Sequence, residues 1–115
     1  MKPQRGEIWL TNFDPIIGSE IGKKRPSVVM SSNAIGVLPL RIVIPLTSWQ
    51  EKFNSSPWLI KIEANSRNKL SQDSAADTFQ IKSVSNQRFI KKIGAVSNDK
   101  LKEIIMGVSI CLDVF

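Results

Sequence analysis

Residues 12–26 read N-F-D-P-I-I-G-S-E-I-G-K-K-R-P, and the rest of the chain can be read outward from them. The stretch joins two apolar runs, E-I-W-L-T-N-F at 7–13 and P-S-V-V-M-S at 26–31. In the first run Ile8 and Leu10 fall on one face, and Trp9 and Thr11 on the other. That is the period-two alternation of a strand. Between the runs lie Gly18, Gly22, the carboxylate of Glu20 and three consecutive cations, Lys23, Lys24 and Arg25. Long irregular loops persist inside small domains where they carry function. This one combines permissive backbone with positive charge, which suits a polyanion.

Downstream, R-I-V-I-P-L-T at 41–47 reads as a third strand, and Pro45 predicts an edge or a bulge near its end. Residues 58–63 alternate Trp58, Ile60 and Ile62 against Leu59, Lys61 and Glu63, the pattern of a half-buried strand. Residues 76–82 predict another strand, and Ser85 caps a short helical turn through Phe89. The last element differs. Ser97 stands at an N-cap position with Asp99 in the first turn. Leu101, Ile105, Val108 and Leu112 then recur at helical spacing and predict the buried face of an amphipathic helix. Short strands followed by one helix predict a mainly β fold: a small, strongly curved antiparallel sheet or barrel with the C-terminal helix packed on it.

Bulk properties narrow the function. A chain of 115 residues supports one packed domain, residues 1–115. Its net charge of +6 and pI of about 9.8 favour nucleic acid or another anionic partner. Histidine is absent, which removes imidazole acid–base chemistry, Ser-His triads and His-based metal sites. The single cysteine, Cys111, cannot form an internal disulfide and reads as a small buried hydrophobe, which points to a reducing cytoplasm. The polar N-terminus lacks the apolar core of a secretory signal, and no run is long enough to span a bilayer.

Individual residues support two readings each. Pro26 holds the backbone of Arg25 extended, so its planar guanidinium is presented from a fixed point; the alternative is a surface arginine in an ion pair. Thr47 ends the third strand, either as a turn former or as a donor to a ligand. Asp73, Ser74 and Gln80 are turn or exposed-strand residues unless a site recruits them. Phe13 and Trp49 flank the loop and Thr47, where a single-stranded base could stack, while most aromatics in a small barrel are core.

The combination is more specific than its parts. R-G-E-I-W-L-T-N-F-D-P-I-I-G-S-E-I-G-K-K-R-P at 5–26, P-L-T-S at 45–48, D-S-A-A-D-T-F-Q-I-K-S-V-S-N-Q-R-F at 73–89 and K-K-I-G-A-V-S at 91–97 resemble, in order, the MazF/PemK family of toxin ribonucleases. The resemblance covers nearly the whole chain. It implies an SH3-like barrel working as a homodimer. It also implies cleavage of single-stranded RNA without metal or cofactor, leaving a 2′,3′-cyclic phosphate and a 5′-hydroxyl. The implied partner is a cognate antitoxin whose acidic disordered segment folds over the site.

Carried over by position, the resemblance makes Arg25 and Thr47 catalytic. It assigns Ser74 and Gln80 to RNA contact and Ser19 and Glu20 to a gate loop, with Lys23, Lys24, Phe13 and Trp49 as further RNA-binding candidates. One branch of the family uses an arginine and an aspartate on a late strand; this chain departs there, with Asp77, Thr78 and Phe79 nearby and no histidine. The general base is left open among Glu20, water and Arg25. Two other readings compete: a non-catalytic nucleic-acid-binding barrel, and a gyrase-poisoning toxin of the same fold.

Overall fold

The computed structural model describes residues 2–114. Seven strands are formed: β1 Glu7–Asn12, β2 Lys24–Val29, β3 Leu40–Ser48, β4 Leu59–Ile62, β5 Ser74–Asp77, β6 Lys82–Ser85 and β7 Phe89–Ala95. One α-helix, α1, follows at Asn98–Leu112. The sheet runs β4-β5-β3-β2-β1-β7, with β6 pairing β3, and every pairing is antiparallel. Its path ends at β4 and β7, so the architecture is barrel-like without closing.

Strand β3 is the hub. It pairs β2 on one side, and on the other it pairs β6 through residues 40–43 and then β5 through residues 46–48. The expectation of an edge at Pro45 therefore does not hold. Pro45 is buried opposite Ser27 in a central strand, between the last residue paired with β6 and the first paired with β5. The missing N–H falls where the strand changes partner, so no ladder bond is lost there.

Alternation along the strands builds two cores. Ile8, Val28, Ile44, Leu46, Ile62 and Ala76 face the helix side, where Leu101 and Ile104 join them. Trp9, Phe13, Val29, Val43, Val84 and Phe89 form the second cluster on the opposite face, with Ile21 of the 12–26 loop packed against it. Polar groups trapped on this second face are paired: Thr11 and Ser27, both fully buried, sit 2.7 Å apart, hydroxyl to hydroxyl.

The predicted strand at 76–82 is interrupted. β5 starts at Ser74, and a 3-10 turn at Thr78–Gln80 separates it from β6. Thr78 causes the break: it is fully buried, and its hydroxyl donates to the Trp58 carbonyl at 2.6 Å. The turn at Asn86–Arg88 forms with the Ser85 hydroxyl accepting from the Gln87 amide, as predicted. β7, which follows directly, was not foreseen, because its K-K-I-G centre breaks the apolar alternation.

Helix α1 starts as expected, with the Ser97 hydroxyl accepting from the Lys100 amide at 3.1 Å. Its buried face is rotated from the predicted one. Leu101, Ile104 and Gly107 are buried, whereas Ile105 is 42% and Leu112 64% exposed. Gly107 decides this. A Cβ there would lie 2.8 Å from Thr78 Cγ2 and 3.1 Å from Ile60 Cγ1, so the helix approaches the sheet along a residue that counts for nothing in an apolar periodicity.

Candidate active site

The 12–26 loop is braced rather than slack. Arg88 donates to the carbonyls of Asn12 at 3.1 Å and Asp14 at 2.6 Å. The Asp14 carboxylate accepts from the Lys23 amide at 2.8 Å, and Glu20 Oε1 accepts from the Ile17 amide at 2.7 Å. Gln80 pins the loop from the end of the 3-10 turn that follows β5: its Oε1 accepts from the Ile21 amide at 2.7 Å, and its Nε2 reaches the Ser19 carbonyl at 3.4 Å. Gly22 is enclosed, and a Cβ there would meet Ile16 Cγ2 at 2.7 Å and Asp14 Oδ1 at 2.8 Å. Only glycine lets the chain double back so tightly.

That bracing aims Arg25. Its Nε donates to the Gly22 carbonyl at 2.8 Å, which fixes the guanidinium plane and leaves the other nitrogens to the site. Nη1 lies 3.4 Å from Thr47 Oγ1, a long contact that keeps both groups available to a third partner. Register explains the meeting. Ser27 pairs with Pro45, so Arg25 and Thr47, each two residues further on along antiparallel strands, project from the same face of the sheet.

The pair stands on a cleft of about 430 Å³ at one end of the sheet. Leu10, Leu46 and Ile93 give it an apolar floor, and Lys24, Lys69 and Lys91 add cations to Arg25. Ser48, Gln72 and Ser74 line it as well, with Gln72 Nε2 donating to the Ser48 hydroxyl at 2.7 Å. Neither aspartate nor glutamate is among the residues lining it. The cleft thus offers positive charge, hydroxyls and amides, but no carboxylate to remove a proton.

The sequence candidates distribute unevenly over this geometry. Lys24, Arg25, Thr47 and Ser74 line the cleft; Ser74 is largely buried, with its hydroxyl donating to the Gln72 carbonyl at 3.0 Å. Phe13 does not fit its suggested role. It is 1% exposed, packed in the second core with Lys82 Nζ 6.0 Å above its ring, and has no face for a base. Trp49 lies outside the cleft, half-buried and edge-on to Phe53, with Lys61 Nζ 5.3 Å from its ring.

Ser19, Glu20 and Gln80 line a separate recess with Ile17, Phe79 and Lys82. The carboxylate of Glu20 is turned into its own loop, away from Arg25, which removes it as the base in this arrangement. Lys23 is exposed with φ 67°, its amide held by Asp14. Lys69, Gln72 and Lys91 were missed by sequence reasoning. Lys91 could have been found from the K-K-I-G run had β7 been recognised; the 64–73 loop carries no periodic signal.

A curled antiparallel sheet with one terminal helix, and an arginine–threonine pair over a cation-lined cleft, define a small barrel-like protein with a cleft suited to an anion. The family described as PemK-like, MazF-like toxin of type II toxin-antitoxin system matches residues 4–112, and the chain belongs to that family. It is 31% identical to Endoribonuclease MazF9 of Mycobacterium tuberculosis, over 97% of this chain and 98% of that protein. It is 27% identical to Endoribonuclease MazF of Staphylococcus saprophyticus, over 95% and 90%. The fold is shared with crystalline MazF of Deinococcus radiodurans at a TM-score of 0.82 and 24% identity, over 98% of both chains. It is also shared with the toxin fold in a MazE-MazF crystal structure from the same organism, at 0.74 and 22%, over 100% and 99%. The protein is a MazF-type toxin, and no helix among the described residues is long and apolar enough to cross a membrane.

Proposed function

We propose that this MazF-type toxin is an endoribonuclease that cuts single-stranded RNA in the Arg25–Thr47 cleft, acting in the cytoplasm as an mRNA interferase. The observation that carries the reading is the fixed guanidinium in long contact with the Thr47 hydroxyl, in a cleft lined by three lysines and by neither aspartate nor glutamate. RNA supplies its own nucleophile, so no protein nucleophile is needed. The 2′-oxygen attacks the adjacent phosphorus, the bond to the 5′-oxygen breaks, and a 2′,3′-cyclic phosphate and a 5′-hydroxyl result. Arg25 and Thr47 hold the non-bridging oxygens as charge builds on the phosphorane. With Glu20 turned away, the proton of the 2′-hydroxyl passes to water, and the 5′-oxygen takes one from Arg25 or solvent. Lys24, Lys69 and Lys91 hold neighbouring phosphates.

A second copy of the chain and an antitoxin complete the reading. Val37, 93% exposed, and Met106 and Leu112 on α1 leave apolar surface that a homodimer would cover. The cationic cleft suits an acidic antitoxin segment, and a Deinococcus relative is described in complex with MazE. The decisive experiment is incubation with single-stranded RNA in EDTA, with analysis of the new ends. Cyclic phosphate ends that vanish in Arg25→Ala support the reading. Cleavage by Arg25→Ala at the wild-type rate defeats the assignment, and intact RNA with gyrase arrested on DNA favours the gyrase poison.

A further inference from the structure

A second recess, of about 510 Å³, adjoins the cleft and is lined by Asn12, Lys24, Ser85, Gln87, Arg88 and Ile90. Lys24 lines both, and on β7 the two meet between Ile90 of the recess and Lys91 of the cleft. They also share one face of the sheet. Leu10 pairs with Pro26 and both line the cleft; Asn12 and Lys24, each two residues further along, pair in turn and line the recess. The register of β1 on β7 shifts between Leu10 and Thr11, so Ile90 has no partner on β1. It stands 41% exposed as the one apolar side chain lining the recess.

The groups left unspent around the recess are mostly donors. Asn12 Oδ1 accepts from the Asp14 amide at 3.0 Å, which leaves Nδ2. The Ser85 hydroxyl accepts from the Gln87 amide at 3.2 Å and keeps its own proton to give. Arg88 Nη1 spans the carbonyls of Asn12 and Asp14, which fixes the guanidinium and leaves Nε and Nη2 without a partner among the described residues. Lys24 takes part in neither ion pair among those residues, Glu7–Lys92 and Lys100–Glu103. Neither aspartate nor glutamate lines the recess. Two cations and two neutral donors around one apolar residue suit a phosphodiester and its ribose rather than one particular base.

We propose that this recess extends the RNA path beyond the cleft. Lys24 passes the backbone to Arg88, Asn12 and Ser85, which hold a flanking phosphodiester on one side of the cut whatever base it carries. Lys24 pairs with Asn12, and Arg88 follows beside Asn12 because Phe89 pairs with Thr11. The three thus form a row across two strand spacings, roughly 10 Å from Lys24 to Arg88. Continuity with the cleft favours RNA over an acidic peptide as the occupant. An RNA that runs on past the cleft meets one more cation, Arg88, and its slope of log Kobs against log salt steepens by about 0.7.

The inference rests on the ribonuclease reading for the position of the cut, and the experiment separates the two. Gln87 carries the test, because Arg88 also braces the 12–26 loop. Gln87 is exposed, and its side chain makes no hydrogen bond among the described residues. Cut sites of the wild type are mapped, and a short RNA spanning one is made with hydrogen in place of the reacting 2′-hydroxyl, so that it binds uncut. Its other phosphates are made uncharged one at a time, as methylphosphonates. Binding to wild type, Gln87→Glu and Gln87→Lys is measured over a range of salt. Gln50→Glu and Gln50→Lys, exposed and lining neither recess, report the effect of charge alone.

Wild type is expected to lose affinity severalfold when one phosphate away from the scissile one is neutralised. Gln87→Lys deepens that loss and steepens the salt slope on intact RNA by about 0.7; Gln87→Glu removes the loss at that phosphate alone. A wild-type profile with no such phosphate, or Gln50 variants that change the profile as the Gln87 variants do, overturns the extension and leaves the ribonuclease reading standing. RNA binding indifferent to Gln87, with a polyglutamate peptide weakened by Gln87→Glu, overturns it in favour of an acidic partner. A wild type that cuts no RNA defeats the ribonuclease reading. The salt slopes on unmodified RNA then judge the recess: steepening by Gln87→Lys and not by Gln50→Lys supports it, and equal slopes overturn it.

Discussion

Arg25 suits the proposed role because its surroundings have fixed its direction and left its charge unspent. Among the described residues no carboxylate pairs with it, and its one close bond is to the Gly22 carbonyl. Arg25→Lys keeps the charge and loses the fork, so we expect cleavage to fall by about 10²-fold or more, the loss typical of one oxyanion donor; initial rates on a short RNA measure it. Glu20→Gln is expected to leave the acid limb of the pH–rate profile unchanged, because the Glu20 carboxylate faces the Ile17 amide and not the cleft. An acid limb that flattens in this variant would restore Glu20 as base. Asp77 gives a separate pH signature. Burial pushes its carboxyl above the ordinary value of 3.8, with the Phe79 and Gln80 amides offsetting part of the effect. The folded state therefore binds the proton more tightly than the unfolded state, and folding stability falls as pH rises through the window above 3.8. Asp77→Asn should be more stable than wild type at pH 7, with the difference closing as pH drops below 3.8; denaturant melts at both pH values test this.

Two elements show how a local rule yields to packing. In α1 the cap was legible because Ser97 and Asp99 act through their own backbone neighbourhood. The buried face was not, because it turns on Gly107 meeting Thr78, a residue 29 positions earlier. Gly107→Ala gains helix propensity of about 1 kcal/mol but forces a methyl against a fully buried threonine, at a cost of about 1–3 kcal/mol. We expect a net loss of stability in thermal melts, relieved by pairing it with Thr78→Ser, which removes the nearest methyl. The 12–26 loop shows the reverse dependence. Its composition reads as flexible, yet Arg88, Asp14 and Gln80 brace it. Gln80→Ala releases the Ile21 amide, and amide exchange across residues 17–22 should quicken while the rest of the sheet keeps its protection.

At the scale of the whole molecule, charge and curvature act together. On the proposed reading the net charge of +6 draws RNA from a distance, while the cations gathered on the cleft set the salt dependence. If Lys24, Arg25, Lys69 and Lys91 each neutralise one phosphate, the slope of log Kobs against log salt should be about −2.8, at −0.7 per phosphate for a single strand. In Arg25→Ala protein, where three of these cations remain and the slope should be about −2.1, Lys69→Ala and Lys91→Ala together should reduce it by about two-thirds, measured by binding of RNA.

The sequence by itself determined the first four strands, the helix start, the cationic loop and the family, since alternation, capping and motif order are local properties. It also singled out Arg25 and Thr47, although nothing local shows them meeting 22 residues apart. The tertiary structure alone decided which candidates share a cleft. It buried Phe13, turned Glu20 away, made Gln80 a brace and brought Lys69, Gln72 and Lys91 to the site. The physical reason is that register across β1, β2, β3 and β5 fixes the face on which each side chain emerges, and register is set by pairings between segments far apart in the chain.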